Sequence, residues 1–146
     1  MKKYILILMV VTITLFAVGC DSSDPTSELE YLGYIDAHIE MQKDTFDLYI
    51  GLLSEPEFGD DQWEDFTFRA LELLYDNAET FLALEDVPKA YSKYHKKMSQ
   101  AMQHQQLFVA YSEESIKQLE PELMTKAQEE LRNSNELIEE ANTLLP

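Results

Sequence analysis

The chain has 146 residues, with 28 Asp and Glu against 11 Lys and Arg, for a formal charge of −17 at pH 7. That charge repels phosphates and argues against a nucleic-acid partner. A hydrophobic content of 45% with 11% aromatics speaks against a disordered acidic chain, and a single cysteine excludes an intramolecular disulfide.

Lys2 and Lys3 open the chain, and residues 4–18 carry no charge. A run of this length and apolarity fits the hydrophobic region of a secretory signal peptide. It is short of the roughly 20 apolar residues that a membrane-spanning helix needs. Ala17-Val18-Gly19-Cys20 follows. The tetrapeptide resembles a lipobox, where lipoprotein signal peptidase cuts ahead of a diacylglyceryl-modified cysteine. Ala17 stands where Leu is commoner, while Gly19 and Cys20 match.

The resemblance to bacterial lipoproteins covers these twenty residues. It implies that residues 1–19 are a removed signal peptide and that Cys20 becomes a lipidated N-terminus holding the chain to a membrane outside the cytoplasm. At about 0.8 kcal/mol per buried CH₂, two acyl chains hold stably where one does not. Asp21 resembles a retention signal of enteric Gram-negative bacteria, and a Gram-positive cell has no outer membrane. Both cases imply the outer face of the cytoplasmic membrane.

Residues 20–26 form a short polar linker containing Pro25, and residues 27–146 read as one domain. Ser27-Glu28-Leu29-Glu30 predicts a capping box. Leu32, Ile35, Ile39, Gln42, Phe46, Tyr49 and Leu53 then recur at helical spacing. Ser54 to Gly59 breaks this stripe. Asp60 or Asp61 can cap a second helix carrying Trp63, Phe66, Ala70, Leu73, Leu74, Ala78 and Phe81. Glu85 to Pro88 is the next break, with Pro88 suited to a first helical turn.

A third stripe includes Tyr91, Tyr94, Met98, Met102, Leu107, Phe108, Tyr111 and Ile116. A fourth includes Met124, Ala127, Leu131, Ser134, Ile138, Ala141 and Leu145. No segment alternates with period two. Four helices with short connections predict an all-α, antiparallel up-down four-helix bundle. The alternative at Pro121 is a kink, which would merge the last two helices into one bent rod and leave three members. Beyond the lipobox, the domain has only a general likeness to small helical lipoproteins of Gram-positive bacteria.

Di-metal bundles use Glu-x-x-His, but Ile35, Ser92 and Ala101 stand three before His38, His95 and His104. His95, Met98 and Met102 share a helix face and suit Cu(I), although buried methionines are more often core filler. Glu55, Glu57, Asp60, Asp61, Glu64 and Asp65 could bind Ca²⁺ loosely, but Asp65 occupies the position where an EF-hand needs Gly. No Gly-x-Ser-x-Gly, Ser-x-x-Lys or phosphate-binding loop is present. Carboxylate pairs for sugar hydrolysis stay open as an alternative.

Residues 20–87 hold 19 acids and 2 bases, whereas residues 88–146 hold 9 acids and 7 bases. Lys89, Lys93, Lys96 and Lys97 cluster on one face, expected to pair with the acidic first two helices or to meet lipid headgroups. An up-down topology puts them at the membrane end with Tyr31, Tyr34, Tyr91 and Tyr94. The acidic 54–65 segment, with Phe58 and Trp63, falls at the opposite end beside Glu113, Glu114, Glu120 and Glu122, and is the expected docking surface.

The expected function is therefore a non-enzymatic, membrane-anchored lipoprotein that binds an envelope protein or component. It would have no cofactor beyond the covalent diacylglycerol. The alternative is a small-ligand or metal-binding accessory protein, for Cu(I) or Ca²⁺.

Overall fold

The computed structural model describes residues 27–146. The signal peptide, Cys20, Asp21 and the linker lie outside the described residues. Four helices follow one another: α1 over Glu28–Ser54, α2 over Asp61–Leu82, α3 over Ser92–Gln118 and α4 over Pro121–Asn142. A single 3₁₀ turn, Lys89–Tyr91, leads into α3. No strand occurs among the described residues.

Local chemistry sets most helix ends. Ser27 caps α1 in a reciprocal box: its hydroxyl accepts from the Glu30 amide at 3.2 Å, and the Glu30 carboxylate accepts from the Ser27 amide at 3.0 Å. Of the two candidate caps for α2, Asp60 does the work, accepting from the Trp63 amide at 2.8 Å. Pro88 directly precedes the 3₁₀ turn instead of sitting in the first turn of α3.

Pro121 begins a separate helix at its first position, where a proline lacks nothing the helix needs. The chain reverses at Leu119, whose φ of 53° is left-handed. The Ser115 carbonyl accepts the Leu119 and Glu120 amides, and the Ser115 hydroxyl donates to the Glu120 carbonyl. The bundle therefore has four members, and the bent rod does not form.

The helices alternate in direction. One core cluster joins Tyr31 and Ile35 at the start of α1 with Phe81 near the end of α2, Tyr94 and Met98 early in α3 and Ala141 late in α4. A second cluster joins Tyr49, Trp63, Leu71, Phe108, Ile116 and Ala127 toward the other end. Small residues on α3 and α4, including Ala101, Ser112, Ala127, Ser134 and Ala141, are fully buried. The backbones of this pair run closest together. By contrast, no Cα of α1 comes within 8 Å of one in α4, so the seam between first and last helices is open.

The buried faces of α1 and α2 differ from the predicted stripes. α1 buries Tyr31, Ile35, His38, Thr45 and Tyr49, while Leu32 and Ile39 are exposed. α2 buries Thr67, Leu71 and Asn77, while Phe66 and Leu73 face outward. Leu107 and Leu145 are also exposed. Thr45 and Thr67 return their hydroxyl protons to carbonyls one turn back, Met41 and Trp63, both at 2.8 Å. A threonine can thus sit in a core without an orphaned polar atom.

Candidate functional site

At the end where α1 begins, aromatic and polar groups interlock. The Tyr31 hydroxyl lies 3.1 Å from His95 Nδ1, and the Tyr31 and Tyr91 rings are 5.1 Å apart. His38 and His95 each pack on Phe81 with centroids 4.7 Å away. His38 is buried with Nε2 unpartnered, while Asn77 donates to its backbone carbonyl at 3.4 Å. Burial pushes the His38 imidazole down to about 4, opposed in part by Asn77, and it also lowers His95.

This arrangement corrects one expectation. Tyr31, Tyr91 and Tyr94 are buried in the core, and Tyr34 donates its hydroxyl proton to the Thr80 carbonyl at 3.0 Å. The Tyr31 and Tyr91 rings pack on each other and Tyr34 on His38 and Phe81, so the rings are not presented to headgroups. Lys89, Lys93 and Lys96 are exposed. Lys97 pairs with Glu140 of α4 at 2.8 Å, and no ion pair from this cluster to α1 or α2 occurs among the described residues. Lys97 turns toward the acidic last turn of α4 instead.

The copper candidates are brought together only in part. Met98 and Met102 are almost wholly buried in the core, while His95 has Nδ1 beside Tyr31. Among the described residues, no three His, Cys, Asp or Glu side chains gather as a metal site, the 55–65 acids included.

Two of the concavities among the described residues lie at the α1–α4 seam and at the acidic tip. The open α1–α4 seam forms a groove of about 390 Å³, walled by Ile39, Phe46, Ile50, Leu131 and Ile138, with Tyr94 and Met98 also lining it. Its one charged lining residue, Lys43, is tied to Asp47 at 2.7 Å. The other lies at the acidic tip, where the α1–α2 loop meets the α3–α4 turn. It has a volume of about 310 Å³ and is lined by Leu53, Phe58, Ile116, Leu119, Pro121 and Met124, together with Ser115.

At this tip the two predicted contact aromatics part company. Trp63 is buried, and its indole N–H donates to the Leu52 carbonyl at 2.9 Å, fastening α2 to the end of α1. Phe58 rests edge-on against it, centroids 5.1 Å apart, yet stays 56% exposed. Leu119, not among the expected contact residues, is 67% exposed at the pocket mouth. Its signal was the Leu-Glu-Pro turn, where glycine is the usual left-handed residue.

No family model, characterised protein or solved structure matches this chain. No described helix is long and apolar enough to cross a membrane.

Proposed function

We propose that the protein is a lipid-anchored extracytoplasmic lipoprotein whose acidic bundle binds an envelope protein without catalysing a reaction. The observation that carries this reading is one of placement. The single cysteine occupies the lipobox position, seven residues before the Ser27 cap of α1. Seven residues reach at most about 24 Å, and α1 carries the chain about 40 Å further to the acidic tip. An anchor at one end and an apolar pocket at the other suit a tethered binder. Lys89, Lys93 and Lys96, at the anchor end, would each add about 1 kcal/mol of attraction near an anionic surface.

The test is Cys20→Ser in the producing cell. Loss of acyl labelling, with release of the chain or accumulation of precursor, is the expected result. Retention on the membrane at mature size without acyl label would overturn the anchor.

A second reading, a small-ligand accessory lipoprotein, is favoured by the open α1–α4 groove. Its apolar walls suit a hydrophobic ligand better than a metal ion. Saturable uptake of a fluorescent fatty acid, lost in Ile138→Asp, would support it over the first reading.

A further inference from the structure

The pocket at the tip is apolar, but the segments that line it are interspersed with carboxylates. Glu55 and Glu57 lie in the loop between Leu53 and Phe58, Glu114 precedes Ser115, and Glu120 and Glu122 flank Pro121. All five are exposed, and none has an ion-pair partner among the described residues. The cation nearest in sequence, Lys117, is engaged by Glu113 and lies over the Phe68 ring, 5.3 Å from its centroid. Each surface acid elsewhere could be solvated harmlessly. Here the acids flank, along the chain, the segments that carry Phe58 and Leu119, two large apolar side chains left more than half exposed.

We propose that this pocket seats an apolar side chain of a basic segment in a partner protein, with Lys or Arg on either side of that anchor meeting the carboxylate rim. The proposal rests on reading the protein as a non-catalytic binder and supplies the chemistry of its partner. Two features select this occupant. A volume of about 310 Å³ is at the small end of ligand pockets and accommodates one or two large side chains, as a hot-spot pocket does. The unpaired rim repels phosphates, anionic polymers and anionic bilayers, and attracts a cationic peptide from a distance. A divalent ion is the poorer candidate, because no three acids converge on one point among the described residues.

Leu119 provides a test that separates binding from folding. Its left-handed backbone suits glycine better than leucine, so Leu119→Gly should keep or raise the melting temperature while removing one wall of the pocket.

The experiment uses the full lipidated chain in nanodiscs of neutral phosphatidylcholine. The probe is a fluorescent helical peptide of leucine and lysine with one central photo-reactive leucine. Crosslinks should fall on residues 53–58 and 115–124. Leu119→Gly, and separately Glu120→Gln with Glu122→Gln, should weaken binding about tenfold, the glutamine pair only at low salt. Glu40→Gln with Asp44→Gln, on the middle of α1, should change it little. A peptide with glutamate in place of lysine should not bind.

Crosslinks spread along the acidic faces of α1 and α2, or equal losses in the tip and mid-helix variants, would overturn the proposal. So would tighter binding to the nanodisc lipid than to the protein. Failure here with Cys20 acylation intact would remove the partner chemistry alone. Tip-directed binding without acylation would remove the anchor alone.

Discussion

The Phe81 and His95 rings stack, 18° from parallel, with their centroids 4.7 Å apart. His38 packs on the same Phe81 at the same distance, tilted by 46°. Two imidazoles thus share one aromatic neighbour at the end of the core where α1 begins. Burial keeps both below the ordinary histidine value, His38 at about 4.

The sign of the pH dependence follows. The unfolded chain binds a proton at His38 near pH 6.5 and the folded chain only near pH 4. The His38 contribution is therefore complete above pH 6.5 and is lost as pH falls from there toward 4. The loss is on the order of 2–3 kcal/mol for His38. Relief of the −17 charge acts in the opposite direction, so the comparison must be made between variants. Urea midpoints at pH 7 and pH 4.5 should fall more in the native sequence than in His38→Phe. Equal falls would refute the coupling.

Gln105 ties three helices. It is fully buried, accepts from Gln42 Nε2 of α1 at 2.7 Å and donates to the Leu74 carbonyl of α2 at 3.0 Å. Gln105→Leu keeps the bulk but severs both links, and should cost about 1–3 kcal/mol. Urea unfolding of this variant alongside Gln42→Leu and the double variant would measure the coupling. Strict additivity would show that the link carries no energy.

These residues also mark the limit of what the sequence revealed. The helix breaks at Ser54–Gly59 and Glu85–Pro88, and the boundary at Pro121, were legible because Gly, Pro and capping residues act locally. The buried face of α1 was not. Leu29, Leu32, Ile39, Met41, Leu48 and Ile50 are exposed elsewhere on α1, so apolar residues lie around its circumference and several stripes fit equally well. The side chosen is the one that buries His38 and Thr45, and no local signal specifies it. At the tip, the carboxylates and Phe58 were readable from composition. The pocket itself needs Leu53, Ile116 and Met124 brought together from three helices.

The tight α3–α4 pair depends on small side chains. Ser134 and Ala141 are buried on α4, and Ala101 on α3. Ala141→Leu should force the backbones apart and cost about 1–3 kcal/mol. The same change at exposed Glu136 should be near neutral. Thermal unfolding of the two variants is the check, and equal melting temperatures would mean that the close approach is not set by these residues.

Met98 and Met102 serve the core. Met98→Leu with Met102→Leu conserves volume and should cost less than about 1.5 kcal/mol per site. Cu(I) titration against a chromogenic competitor should give the same curve for this variant as for the native sequence. Saturation near one equivalent in the native protein alone would instead establish a thioether site.

The open seam has a mechanical consequence. If Cys20 is acylated and the tip holds a partner, as proposed, any relative movement of the two would load the protein along the helix axes. α1 receives that load first, because it joins Ser27 to the 55–60 loop. It is secured by its seam with α2 and by side chains reaching α3, Tyr31 to His95 and Gln42 to Gln105. Pulled lengthwise, these contacts share the tension together; peeled from one end, they would fail in turn. On the proposed anchoring, the bundle would resist lengthwise traction, and α1 is the helix where yielding would start.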